Sequence, residues 1–337
     1  MRSFLKDTVR FLAWVSTPFL ILLGVYLYLD PFKVLRPYDD YSNPVVSLNR
    51  DFISTSTYLR KHERLRYNSF IFGSSRTVAF RPESWKKFLP DTARPFMFDA
   101  SGETITGMRD KIRFLDSTGG HIDNALLIIC RDATFADNPY SKGFLFEKHP
   151  ATTHGSWLEF HMGFVRAFLD PTFLSVYFKY LRTHEIVPQA QGYLENRKVG
   201  YDTITNRITL VSQDEEMRQD PKAYHEKRNS VFKDRPALSV NDSASWITDR
   251  YAGYLREMKA IFDKHHTEYR IVISPLYERI GFNRTDLALL NSVFGDRVYD
   301  FSGKNAFTDD PYNYYESSHF IPSVGDSILA RIYAHQP

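Results

Sequence analysis

Ser69-Phe70-Ile71-Phe72-Gly73-Ser74-Ser75-Arg76 is the stretch on which the fold turns. It reads as a short apolar strand stopped abruptly by Gly-Ser-Ser. Similar short buried runs recur at Phe96-Met97-Phe98, Ala125 to Cys130, Arg270 to Ser274 and Val298-Tyr299-Asp300. Helical patterns lie among them at Thr104 to Leu115, Ser245 to His265 and Asp286 to Val293. Strands alternating with helices predict an α/β fold, a doubly wound parallel sheet with its active site at the carboxyl ends of the strands.

Composition bounds what such a fold can be used for. With 337 residues, 43% hydrophobic and 25% charged, the chain has ordinary globular content, which excludes disorder, collagen and a polytopic membrane protein. Its length suits one elaborated domain of catalytic size plus an appendage. The net charge of +3, from 43 Lys+Arg against 40 Asp+Glu, is too small and too spread for a dedicated nucleic-acid binder. One cysteine, Cys130, forbids an internal disulfide and any zinc site built from several thiolates.

Before the domain stands a candidate anchor. Phe11 to Leu29, FLAWVSTPFLILLGVYLYL, carries no charge, and at ~1.5 Å per residue it matches a hydrocarbon core of ~30 Å. Trp14, Tyr26 and Tyr28 lie towards its ends, where amphipathic rings favour the interface, and Pro18 is tolerable in a membrane helix. The competing reading is a cleaved signal peptide, but Leu-Asp-Pro-Phe follows the run in place of a small-x-small site. Arg2, Lys6 and Arg10 precede it, offset only by Asp7, whereas Asp30, Lys33, Arg36, Asp39 and Asp40 follow. The positive-inside rule then keeps the start in the cytoplasm and exports the rest, in a bacterium to the periplasm or outer surface of a single-pass inner-membrane protein.

The expected organisation is a stub and transmembrane helix over 1–30, a linker and lead-in helix over 31–67, and the α/β domain over 68–337. A largely helical insertion at about 138–241 interrupts that domain and is too long for a plain loop. Its apolar stretch from Trp157 to Leu181 contains Asp170-Pro171, an N-cap followed by proline at the first helical position, so two helices are predicted. That pair either packs on the sheet or forms an aromatic lid or membrane-facing surface near the active site. Gly200 to Val211 has the alternation of a small hairpin.

A hydroxyl delivered by a strand-ending turn sits at the carboxyl edge of the sheet, with free N–H groups behind it that favour an oxyanion. Ser75 is therefore the candidate nucleophile, with Ser74 the alternate. Serine is inert without a base, and His319 has the most telling surroundings among the eleven histidines. It stands in Tyr315-Glu316-Ser317-Ser318-His319-Phe320, ahead of Pro322 and a last helix with Val324, Ile328, Leu329 and Ile332 on one face. Glu316, three residues earlier, can orient the imidazole within a compact turn. Arg76 either binds an anionic substrate group or pairs with Asp132 or Asp99. His154, Glu159 and His161 lack a metal-ligand spacing and read as solvated, so no metal and no cofactor are expected. Asp309-Asp310 reads as a turn, with one of the pair an alternative triad acid.

Phe72-Gly73-Ser74-Ser75 and the terminal Glu316-x-x-His319 resemble the first and last sequence blocks of the SGNH (GDSL-type) hydrolase superfamily. The resemblance implies Ser75 as nucleophile, His319 as general base and Glu316 as orienting acid. It also implies that Gly102, in Asp99-Ala100-Ser101-Gly102, and Ser75 donate backbone N–H groups to the oxyanion. Two features depart from the pattern: glutamate replaces the usual aspartate, and Cys130-Arg131-Asp132 stands where the third block's Gly-x-Asn-Asp belongs. Arg131 is the candidate substitute for the missing asparagine donor, the alternative being a hole of two donors.

A tethered domain of this kind is similar to membrane-anchored cell-surface acylation proteins of the alginate O-acetylation and teichoic-acid D-alanylation type. That resemblance implies serine-dependent O-acyl transfer, with acetyl the first choice, to an extracytoplasmic polysaccharide through an acyl-Ser75 intermediate. The implied partners are a glycan acceptor and an acyl donor supplied through a membrane-bound O-acyltransferase. Water in place of the acceptor makes the same enzyme a carbohydrate esterase. A third reading is a catalytically inactive glycan-binding scaffold, suggested by the missing asparagine block and by 27 Phe and 21 Tyr available to stack on sugars.

Overall fold

The structure is a computed structural model that describes residues 2–131, 133–136, 143–232, 235 and 240–334. Its main elements, in chain order, are α1 (Arg2–Leu29), α2 (Arg50–Leu65), β1 (Ser69–Gly73), β2 (Pro95–Met97), α3 (Ile105–Ser117) and β3 (Asn124–Ile129). The insertion contributes α4 (Trp157–Phe168) and α5 (Pro171–Thr183). Then come α6 (Asp249–His265), β4 (Glu268–Ile273), α7 (Arg284–Phe294), β5 (Val298–Asp300), β6 (Tyr314–Glu316), β7 (His319–Phe320) and α8 (Pro322–Tyr333).

Five of these strands make one sheet in the order β2-β1-β3-β4-β5, every pairing parallel. All five were anticipated from their apolar runs. Side chains alternate across the sheet with the period of two that a pleated strand imposes. Phe70, Phe72, Leu127, Ile129, Ile271 and Ile273 face one way, into a core completed by Tyr58 of α2, Met108 and Ile112 of α3, Leu255 and Met258 of α6 and Leu290 of α7. Ile71, Leu126, Ile128 and Val272 face the other way, against Trp85, Tyr314, Phe320 and the apolar side of α8. Burying each such side chain is worth about 1.5–3 kcal/mol against the unfolded chain. Covered on both faces, the strands need no polar side, which is why they read as continuous apolar runs.

Within the insertion, Asp170 accepts hydrogen bonds from Thr172 N and Phe173 N at 2.9 and 3.0 Å, and Pro171 opens α5, as its sequence predicts. Gly200–Tyr201 pairs antiparallel with Ile208–Thr209, so the small hairpin forms too. The α4–α5 pair does not pack on the sheet. Phe160, Phe164, Phe168 and Phe173 build a separate core with Tyr26 and Phe32, at the end of α1 and just beyond it.

α1 is longer than the uncharged run and begins at Arg2. Its stretch Phe4–Leu29 is long and apolar enough to be a membrane span or a signal sequence.

Candidate active site

β1 ends at Gly73, whose φ is +155°; a Cβ there would meet Ile128 Cβ and Thr77 Cγ2 at 2.9 Å. Only glycine allows this close turn beside β3. Ser75–Ala79 follows as a 3-10 turn, locked when Ser74 O accepts from Thr77 N at 3.0 Å and from Thr77 Oγ1 at 2.9 Å. Ser75 thereby emerges at the carboxyl edge, beside the point where the strand order reverses around β1. Ser74 points elsewhere. It is buried, with its hydroxyl 3.7 Å from Cys130 Sγ, which in turn lies 3.8 Å from Ser274 Oγ.

His319 reaches Ser75 from the far end of the chain. Tyr314 pairs with Phe320 and Glu316 with His319 in the antiparallel β6–β7 hairpin, whose Tyr314 and Phe320 sink into the core. Contacts from outside fix the hairpin, three of them through Tyr315 and the turn. Tyr224 Oη donates to Tyr315 O at 3.1 Å, Ser317 Oγ to Val231 O at 3.0 Å, and Arg76 Nε to Ser318 O at 3.0 Å. Arg76 thus ties the turn that carries Ser75 to the turn that carries His319. Gly325 of α8 does so again: a Cβ at that position would stand 2.0 Å from Ala79 O.

The result is a continuous chain of hydrogen bonds. His319 Nε2 lies 2.7 Å from Ser75 Oγ, and His319 Nδ1 contacts Glu316 Oε1. Ser318 N donates to the other oxygen, Glu316 Oε2, at 2.8 Å. A carboxylate only accepts, so Nδ1 carries the ring proton and Nε2 is left with a lone pair for the Ser75 hydroxyl. Partial burial pushes the Glu316 carboxyl up, but the bond to His319, the Ser318 N–H and the Arg76 cation together hold it below its usual range. Asp309 and Asp310 are elsewhere occupied, by Arg279 at 3.3 Å and by Tyr312 N at 2.9 Å.

The remaining candidates are distributed around this centre. Gly102 is half-buried with φ +58°, in the loop after β2 whose Ser101 lines the same cavity as Ser75. Arg131 is held by Asp242 at 2.7 Å. Asp132 lies outside the described residues. Asp99 takes Arg50 at 2.7 Å and Thr77 Oγ1 at 3.1 Å. The cavity, of about 310 Å³, runs from Ser75 and His319 between the lead-in segment and the insertion, with Leu48, Leu145, Tyr201 and Leu210 in its walls.

Sequence reading missed the charge cluster that supports the loop bearing Gly102. Lys111 Nζ sits 3.1 Å from Asp51, 2.7 Å from Glu103 and 2.9 Å from Asp99 O, and Lys148 reaches Glu103 at 2.6 Å. Burial pushes the Asp51 carboxyl up, but Lys111 and Lys148 pull it far below its usual range. One signal was available: Lys111 interrupts the apolar stripe of α3 between Met108 and Ile112.

His149 lies against this cluster. Its Nδ1 accepts from Ala151 N at 3.1 Å, its ring stacks on Phe52, and burial pushes its pKa down from 6.5 to about 4. The folded state therefore refuses a proton that the unfolded chain accepts. Stability is complete above pH 6.5 and falls as pH drops toward 4, by up to about 3 kcal/mol. Urea unfolding at pH 7 and pH 5 is expected to show a larger loss for the native chain than for His149→Gln.

Compared with known proteins, the sequence matches no family model, and no curated protein qualifies as a relative.

Proposed function

We propose that this chain is a serine-dependent acyl-handling enzyme of SGNH type, with a doubly wound domain carried on the outer side of a bacterial inner membrane. Its reaction is O-acyl transfer, acetyl first, to an extracytoplasmic polysaccharide. The observation that carries the reading is the unbroken Ser75–His319–Glu316 hydrogen-bond chain at the sheet's carboxyl edge.

Ser75 Oγ attacks the acyl carbonyl while His319 Nε2 takes its proton. Glu316 holds the imidazole in the required tautomer and stabilises the imidazolium. The tetrahedral oxyanion is met by the backbone N–H groups of Ser75 and Gly102. Arg131 is engaged by Asp242 and is left out of this hole. Collapse breaks the bond to the donor's leaving oxygen, which receives the proton from His319, and leaves acyl-Ser75. A glycan hydroxyl then attacks, His319 takes that proton, and Ser75 is regenerated. The donor is delivered through a membrane-bound O-acyltransferase partner, and tethering raises its effective concentration. Water performing the second attack gives the esterase alternative, which shares every residue of the first half-reaction.

A fluorophosphonate probe and an acetyl ester test this reading. The full chain is expected to take the probe at Ser75 and to turn over the ester faster with a glycan acceptor than without. Full-rate turnover without acceptor would favour the esterase. Absence of labelling would overturn the catalytic reading and favour the glycan-binding scaffold.

A further inference from the structure

The helices α4 and α5 are apolar on two sides. Their inner stripes, Phe160, Phe164 and Phe168 on α4 and Phe173, Val176 and Tyr177 on α5, are buried. A second apolar side is exposed on each: Leu158 and Met162 on α4, and Phe178 and Leu181 on α5, while Val165, Leu169 and Leu174 between the two sides pack partly against the aromatic core. At 100° per residue these outer stripes lie roughly 130° round the helix from the inner ones. Leu158 is 73% exposed, Phe178 and Leu181 each 40% and Met162 37%. A helix on the surface of a water-soluble domain shows charge on that side.

What covers the outer stripes is indicated by α1. Leu22, Val25, Tyr26 and Leu29, spaced i, i+3, i+4 and i+7, form the stripe of α1 that packs on the aromatic core of the pair. Tyr26 lies 5.2 Å from Phe168 between ring centroids, and Phe32 lies 5.5 Å from Phe164 and 5.1 Å from Phe173. Leu22 is seven residues before the end of α1, about 10 Å back along its axis at 1.5 Å per residue. A helix pair touching α1 there stands level with the outer part of the apolar run, beside lipid and not above it.

We infer that α4 and α5 form an interfacial membrane element, whose outer stripes rest in the outer leaflet of the bilayer that α1 crosses. Interfacial helices sink an apolar face ~5–10 Å into the headgroup and acyl boundary. Arg166, Lys179 and Arg182, exposed on the same helices, reach for lipid headgroups by extending their stems. The inference rests on α1 remaining in the membrane, not on the catalytic reading.

Environment-sensitive fluorophores on single introduced cysteines test it, in the full chain reconstituted into phosphatidylcholine/phosphatidylglycerol vesicles. The positions are Leu158→Cys and Phe178→Cys, with Leu20→Cys as the bilayer reference and His266→Cys as the water reference. The parent, whose Cys130 is buried, serves as the blank. Lipids bearing a nitroxide near the headgroup are expected to quench the Leu158 and Phe178 probes at least about twofold, as an interfacial depth requires. Aqueous iodide should quench only the His266 probe strongly. If Leu20 reports lipid while Leu158 and Phe178 report water, the inference is overturned and the stripes belong to a protein partner. If Leu20 also reports water, the anchor reading falls with it.

Discussion

Ser75→Ala is expected to lower acetyl-ester turnover by the full chain by on the order of 10⁴–10⁶-fold. His319→Ala should cost a similar factor, and the double variant no more than either alone, because hydroxyl and imidazole act as one unit across their 2.7 Å contact. Steady-state kinetics on the three variants checks this. Independent, multiplying losses would mean that the two side chains are neighbours without a shared step. Ser74→Ala is the contrast: its hydroxyl faces Cys130, so turnover should stay within roughly tenfold of the parent.

The second large effect falls on stability. Lys111 is 1% exposed on its side chain and lies between two carboxylates, Asp51 and Glu103, that are 2% and 0% exposed. Lys111→Ala leaves Lys148 alone against two buried carboxylates, and an uncompensated buried charge costs about 3–5 kcal/mol. Denaturant unfolding is expected to show that shift. Pairing the change with Glu103→Gln should return part of it, since Lys148 then faces a single carboxylate, Asp51. If Lys111→Ala unfolds at the parent's midpoint, the cluster is not what holds the loop from Asp99 to Glu103. Because Lys111 also donates to Asp99 O, fluorophosphonate labelling of Ser75 should fall in the same variant.

The parts legible in the sequence are those set by local chemistry. Val298–Asp300 forms a strand at the expected residues, because a short apolar run in an alternating α/β pattern has few other uses. Asp170-Pro171 divides two helices because a side-chain cap and a fixed φ act within three residues. The nearness of Glu316 to His319 was readable for the same reason, as was the strand stop before Ser75.

Apart from Ser75 with His319, long-range partnerships were not readable. Arg50 meets Asp99 and Asn206, 49 and 156 residues away, and nothing local to Arg50 names either. Amphipathic spacing in α4 and α5 announced buried faces without saying against what. Packing on the sheet and an aromatic lid or membrane-facing surface were both open, and the aromatic core with Tyr26 and Phe32 removes the first by seating the pair against the end of α1.

Phe32 also explains something about reach. Its ring lies 6.4 Å from Tyr26 and 4.7 Å from Phe144, and the next residue, Leu145, is a wall of the cavity that holds Ser75. The chamber is therefore bolted to the end of α1 through one shared plate of aromatic rings. A slack tether would let that helix shift without consequence; here a displacement of the end of α1 is passed directly to the wall of the cavity.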